Sequence, residues 1–200
     1  MSRLRIYLTG VGGQGTLTAT TLLSRILLDE GLEVVSGEIH GMAQRGGVVE
    51  STILVGGWKS PVISHGEADV VLGFEALETY RALPYLVPNG TVFSSTEFIP
   101  PPGVNAGRES LPELTYIVDA VRKVASKNVF LPIASLGQQA GAVQSANTIL
   151  LAVFLESGLL PCGVDALQKG IEKYLPPKVV DVNKEAVRLG LEAMRKPACS

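Results

Sequence analysis

The feature that most constrains this chain is the run Leu4–Leu8 (LRIYL), which breaks into Thr9-Gly10-Val11-Gly12-Gly13-Gln14-Gly15. Ala19, Leu22, Leu23, Ile26 and Leu27 then follow at helical spacing. A strand, a glycine turn and an amphipathic helix in that order open an α/β layered fold. Gly31 suits the position just past the helix, and Leu32–Ser36 (LEVVS) reads as a second, parallel strand reached by a right-handed crossover. Gly10, Gly12 and Gly15 satisfy G-x-G-x-x-G, and Gly13, Gln14 and Thr16 complete the loop. Small residues there let backbone and helix N-terminus approach an anion.

Three readings of that loop stand open. Glu38, 23 residues after Gly15, is placed to hold a ribose as in NAD(P)-dependent enzymes. Against that reading, Glu38 lies within a glycine-rich segment, Gly37–Gly47 (GEIHGMAQRGG), where an ordinary dinucleotide fold would carry its second helix. The loop can instead hold another phosphate or anion, or its glycines can serve only tight strand–helix packing. After Gly47 comes Val48–Val55 (VVESTILV), rich in β-branched residues, then Gly56-Gly57 and Pro61-Val62-Ile63, which together read as a β-hairpin beside the parallel strands.

The βαβ rhythm then returns: a strand at Ala68–Phe74, a helix from Glu75 to Ala82, a turn at Pro88-Asn89-Gly90 and a strand at Thr91–Ser95. Pro100–Gly103 is a stiff connector, because a helix over Tyr116–Ser126 and a strand over Val129–Ile133 follow it. Helices at Asn147–Leu155, Val164–Tyr174 and Val180–Met194 close the chain, separated by Pro161 and Pro176-Pro177. The expectation is a single α/β domain over residues 1–200: a three-layer, Rossmann-like, mostly parallel sheet with an inserted β-hairpin and a helical C-terminal part.

Composition removes whole classes of function. A net charge of −2 without a basic run leaves no electrostatic footprint for nucleic acid. The longest apolar run, Ile149–Leu155, is far short of the ~20 residues that span a bilayer. With no secretion signal at the N-terminus either, a cytoplasmic protein is expected. Two cysteines, Cys162 and Cys199, are too few for an iron–sulfur cluster, and two histidines without HExxH spacing give no zinc site. Hydrophobic residues reach 46% and charged residues only 18%, so part of the surface must be apolar or covered by a partner.

Outside the glycine loop, His40-Gly41-Met42-Ala43-Gln44-Arg45-Gly46-Gly47 is the most unusual segment. Arg45 offers a planar cation, with backbone room around it, to a carboxylate or phosphate, or to a partner chain. His40 has no visible partner in sequence, and a solvated hairpin connection accounts for it equally well. We therefore take His40, Met42, Gln44, Arg45, Gly46 and Gly47 as a candidate interface or anion contact. Glu75 and Glu78, one turn apart, read as a solvated helix face, and no serine sits in a G-x-S-x-G elbow.

GVGGQG followed by Thr16-Leu17-Thr18, then EIHGMAQRGGVVES, then HGEADVVLGFEALETYRALPYL, resembles the γ-type domain of 2-oxoacid:ferredoxin oxidoreductases, and among them the indolepyruvate type. The likeness continues through Asn147 and Val182-Asn183-Lys184-Glu185-Ala186. It implies a share in an enzyme that oxidatively decarboxylates an arylpyruvate, reduces ferredoxin and passes the acyl group to coenzyme A. Thiamine diphosphate and the iron–sulfur clusters would sit in a larger partner subunit, giving a hetero-oligomer. Coenzyme A would meet this chain near Gly12–Thr16 or Arg45. Subunits of pyruvate, 2-oxoglutarate or 2-oxoisovalerate ferredoxin oxidoreductases are the nearest alternative, and an NAD(P)-binding reductase is a further one.

Arg45→Ala separates the readings of its segment. A solvated residue leaves melting temperature, affinity for the large subunit and specific activity within about 0.5 kcal/mol of the parent. A residue that meets a carboxylate or phosphate across an interface leaves the melting of the free chain unchanged, while affinity or the coenzyme A KM moves about tenfold or more.

Overall fold

The structure, a computed structural model, describes residues 3–40, 47–108 and 110–196. Strands β1 (Leu4–Val11), β2 (Val34–His40), β3 (Val48–Val55), β4 (Ala68–Gly73), β5 (Leu86–Ser95) and β6 (Lys127–Leu131) form one sheet in the order β2-β3-β1-β4-β5-β6. β1, β4, β5 and β6 run parallel, whereas β3 lies antiparallel between β1 and β2. The helices are α1 (Thr16–Asp29), α2 (Ala76–Ala82), α3 (Pro102–Asn105), α4 (Leu114–Val124), α5 (Ile133–Ala140), α6 (Ala146–Glu156), α7 (Val164–Tyr174) and α8 (Pro177–Arg195). This is the mostly parallel, layered α/β fold with a helical C-terminal part.

Two cores sit on the two faces of the sheet. On one, the Leu22, Leu23, Ile26 and Leu27 stripe of α1 packs on Ile6 and Leu8 of β1 and against α6 and α7, with α8 packed in turn on α6. α6 is apolar on all sides because it is the central helix of that layer: Ile149 through Leu155 are each no more than 1% exposed. On the other face, α2 and α4 cover Tyr7, Val71 and Val92. Gly73 allows α2 to come so close, for a Cβ there would lie 1.7 Å from Thr79 Oγ1. No described helix is long and apolar enough to cross a membrane.

The structure corrects five expectations. β2 shares the direction of β1 but pairs only with β3, so the first crossover does not join neighbouring strands. The hairpin is β2–β3; Pro61-Val62-Ile63 forms no strand, and Ile63 instead buries its side chain in the second core. β2 also extends through Gly37 to His40, into residues expected as loop, because β3 supplies backbone partners along its whole length. At the far edge, β6 ends at Leu131 and Ile133 begins α5, a helix not expected from the sequence. Its apolar positions are too few to show a period, and Pro132 hides the start. The Pro88-Asn89-Gly90 turn lies inside β5, where Asn89 adopts φ 63° and the pairing with β4 shifts register.

Phe154 is fully buried, its ring edge-on to Phe93 with centroids 5.7 Å apart, and so joins α6 to the sheet. Phe154→Ala should cost ~3–5 kcal/mol in urea unfolding of the chain. A loss under about 1 kcal/mol would show that α6 repacks freely.

Candidate functional site

β1 ends in a turn that its own side chains hold shut. Gln14 Oε1 accepts from the Val11 amide at 2.7 Å, and Gln14 Nε2 donates to the Phe74 carbonyl at 2.9 Å. A strand leaving a sheet strands its last polar groups, and one carboxamide here satisfies a donor on β1 and an acceptor after β4. The Gly12 amide donates to the Gly47 carbonyl at 2.9 Å, joining the glycine turn to the end of the second candidate segment. Gly10 has no room for a side chain: a Cβ would stand 2.8 Å from Thr16 Oγ1 and 2.9 Å from Gln14 Oε1. Gly15 is the residue that caps α1, left-handed at φ 81°, and its carbonyl accepts from Asn147 Nδ2 at 3.2 Å. Gly10, Gly12, Gly13, Gln14, Gly15 and Thr16 thus form one structure, with Gly47 against it.

Two hollows flank this turn, with Gly13 and Gln144 bordering both. One, about 390 Å³, lies at the carboxyl ends of the parallel strands between Gln14, Phe74, Ile99 and Ile133. Carboxylates fix its rim by accepting backbone amides. Glu97 takes the Ala134 amide at 2.6 Å and the Ser135 amide and hydroxyl, holding the start of α5. Glu75 takes the Glu78 amide at 2.8 Å and the Ile99 amide at 3.0 Å.

The other hollow, about 540 Å³, is where α1, α6 and α8 all begin. Gly15, Ser145 and Pro176 cap these helices; none donates a side-chain cap, and no acidic residue stands in any of the three first turns. Lys178, in the first turn of α8, lines the hollow too. Three helix N-termini and an ammonium group make it electropositive, suited to a phosphate or carboxylate. Lys178, Gln144 and Glu97 were missed in the sequence because no motif marks them. Proline at the start of α8 was the one legible sign.

The acidic pair is where expectation fails. Glu75 is 1% exposed and Glu78 4%, not a solvated face. Glu75 caps α2 with its side chain, which draws the first turn onto the sheet. Glu78 Oε1 meets Arg81 Nη1 at 2.7 Å, and Oε2 is buried without a hydrogen-bond partner among the described residues. Burial pushes both carboxyls above the usual range; Arg81 opposes the shift at Glu78, while Glu75 and Glu50 add to it. Burial likewise raises the Tyr7 hydroxyl, with the Glu50 carboxylate contributing. Glu38 is exposed on β2, one strand removed from β1.

His40 closes β2, its backbone opposite Val49. Met42, Gln44, Arg45 and Gly46 lie outside the described residues. Among those described, no three of His, Cys, Asp and Glu converge as metal ligands.

A glycine turn on the first strand of a mostly parallel sheet, with the N-termini of α1, α6 and α8 around one hollow beside it, defines a layered α/β protein with an electropositive crevice at the strand ends. The chain belongs to the pyruvate ferredoxin/flavodoxin oxidoreductase family, whose pattern matches residues 5–193. It is 36% identical over 188 residues, 94% of either chain, to the indolepyruvate oxidoreductase subunit IorB of Archaeoglobus fulgidus. Its fold is that of the γ subunit of a keto/oxoacid ferredoxin oxidoreductase from Geobacter sulfurreducens, with TM-score 0.70, 19% identity and 97% of each chain covered. It also superposes along its whole length, with TM-score 0.69 and 15% identity, on 32% of a 2-oxoglutarate:ferredoxin oxidoreductase chain from Magnetococcus marinus, solved with 2-oxoglutarate, coenzyme A and succinyl-CoA bound.

The buried acids make a pH prediction. A carboxyl whose pKa rises on folding takes up its proton first in the native state, so its penalty is full above the folded pKa and fades as pH falls through it towards the unfolded value. Glu78→Gln should therefore melt above the parent at pH 7, by about 2–4 °C for each ~1 kcal/mol relieved, with the gap closing as the pH is lowered. A parent that melts higher at pH 7 would mean that pairing with Arg81 outweighs burial.

Proposed function

We propose that this chain is the small subunit of an indolepyruvate-type 2-oxoacid:ferredoxin oxidoreductase, incomplete without a large partner. The complex decarboxylates an arylpyruvate, passes the electrons to ferredoxin and releases an acyl-CoA. The end-to-end likeness to the Archaeoglobus subunit supports the substrate and the partnership. Thiamine diphosphate and the clusters belong to the partner in this reading, because the sequence has no GDG thiamine motif and its two cysteines cannot supply four thiolates. Ile99, 41% exposed, borders the crevice at the strand ends and Val143, 47% exposed, lines it, so this apolar edge suits burial against the large subunit.

One geometric observation carries this chain's own share: the N-termini of α1, α6 and α8 meet at the hollow beside the glycine turn, and Lys178 lines it. Coenzyme A is the phosphate-bearing reactant of this reaction, and the Magnetococcus neighbour holds it. Residues Gly10–Thr16 hold a phosphate of coenzyme A, in this reading, and Arg45 and its neighbours face the partner or the same ligand.

Thr18→Glu tests this. Thr18 is exposed in the first turn of α1 and lines the hollow. A carboxylate there favours the helix by ~0.3–1 kcal/mol yet repels a phosphate. In the reconstituted complex the KM for coenzyme A should rise about tenfold or more, with the KM for the 2-oxoacid and the melting temperature held. An unchanged coenzyme A KM would refute the assignment, and 2-oxoacid oxidation by the small subunit alone, with a viologen as acceptor, would refute the division of labour.

A further inference from the structure

Asn183, Thr148, Asn147 and Gly15 form one buried hydrogen-bonded chain that crosses from α8 through α6 to the glycine turn. Asn183 Nδ2 donates to the Val179 carbonyl one turn back, at 2.8 Å, which fixes the amide and presents Oδ1. The single Thr148 hydroxyl proton is shared between that Oδ1 at 2.5 Å and Asn147 Oδ1 at 3.2 Å. Asn147 Nδ2 then reaches the carbonyl of Gly15, 132 residues away in the chain, at 3.2 Å. The three side chains are 8%, 2% and 7% exposed.

The partner at the end of this chain matters. Gly15 is left-handed and caps α1, so its peptide sets where the first amides of α1 point. Those amides have no acceptors within the helix. A Cβ on Gly15 would lie 2.6 Å from Asn147 Nδ2, so the carboxamide is seated where only glycine leaves room. Asn147 is itself in the first turn of α6, and Asn183 lies in α8 two turns from its start. The network therefore bolts together the three helices whose N-termini face the same hollow, and all three of its side chains line that hollow.

We propose that Asn147 is the positioning residue of the anion site, holding the Gly15 peptide so that the N-termini of α1 and α6 bear on one ligand group, with Thr148 and Asn183 fixing the orientation of its amide. The proposal rests on the assignment of coenzyme A to this hollow. Its content is separate: affinity for the anion is set by a hydrogen bond from the late helices and not by the glycine turn alone. Asn147 touches no reacting atom, and its effect runs through the Gly15 carbonyl.

The test uses the reconstituted complex and four variants. Asn147→Asp keeps the volume and loses the donor to Gly15, while Asn147→Ala removes the group. Thr148→Val breaks the chain one link back at equal volume, and Thr148→Ser keeps the hydroxyl. The two Asn147 variants should raise the KM for coenzyme A at least tenfold, with kcat at saturating coenzyme A and the KM for the 2-oxoacid within twofold of the parent. Thr148→Val should raise the coenzyme A KM severalfold, and Thr148→Ser should restore it. If Thr18→Glu raises the coenzyme A KM while Asn147→Asp and Thr148→Val leave it unchanged, the ligand assignment stands and the positioning role is wrong. If none of these variants moves it, the ligand assignment itself has failed. Loss of melting temperature and of assembled complex in the Asn147 and Thr148→Val variants, with both KM values of the remaining complex unchanged, would show that the network is only structural and overturn the proposal.

Discussion

The Gln14 carboxamide is the contact on which the carboxyl edge of the sheet depends. It accepts the last amide of β1 and donates to the carbonyl that follows β4, so the two central parallel strands end in register and the chain can leave between them. Leaving a buried amide or carbonyl unsatisfied costs ~1–3 kcal/mol, and this one side chain removes two such penalties. Because it does so from inside the turn, the residues around it must be small, which is why Gly10 has no space for a Cβ. Glu75 and Glu97 repeat the device at Ile99 and Ala134. The whole edge is shaped by side chains that hold backbone.

The insertion of β3 between β1 and β2 has a consequence at the same edge. Antiparallel pairing sets Val48 opposite Val11 and Val49 opposite His40, so β2 ends and β3 begins beside the glycine turn. The bond from the Gly12 amide to the Gly47 carbonyl closes that junction. In an ordinary dinucleotide fold a parallel strand with its own crossover helix would take the place of β3. Here the position next to β1 brings Gly47, just before β3, to the turn instead, and the acid expected of an NAD enzyme, Glu38, is one strand away.

What could be read from the sequence was what repeats along it. The apolar period of α1, the all-apolar run of α6 and the glycines after β1 each follow from local spacing, and all are in the structure. Strand order was not legible, because β2 and β3 have the same composition whichever neighbour they choose. The burial of Glu75 and Glu78 was hidden for a similar reason: their spacing fits an exposed face, and only the seating of α2 over Gly73 turns them inward. Of the site, the turn was visible as a motif. Lys178 and the chain from Asn183 to Gly15 were not, since they depend on how three distant helices meet.

These features also determine what kind of chemistry the edge can contribute. Glu97 accepts two backbone amides and a hydroxyl, and Glu75 accepts two amides, so both carboxylates are engaged in holding backbone. Glu78 packs beneath α2 on the opposite face of the sheet from α1, with its accessible oxygen engaged by Arg81. What the edge offers a reactant is fixed dipoles: the N-termini of three helices, held in place by Gln14, Asn147 and their partners before any ligand arrives. Such dipoles need not reorganise when charge approaches them, and inside an interface that excludes water their effect is larger than in solvent. In the function proposed above, a subunit built this way binds and orients an anionic substrate, while a second chain supplies both the covalent chemistry and the apolar cover that makes those dipoles strong.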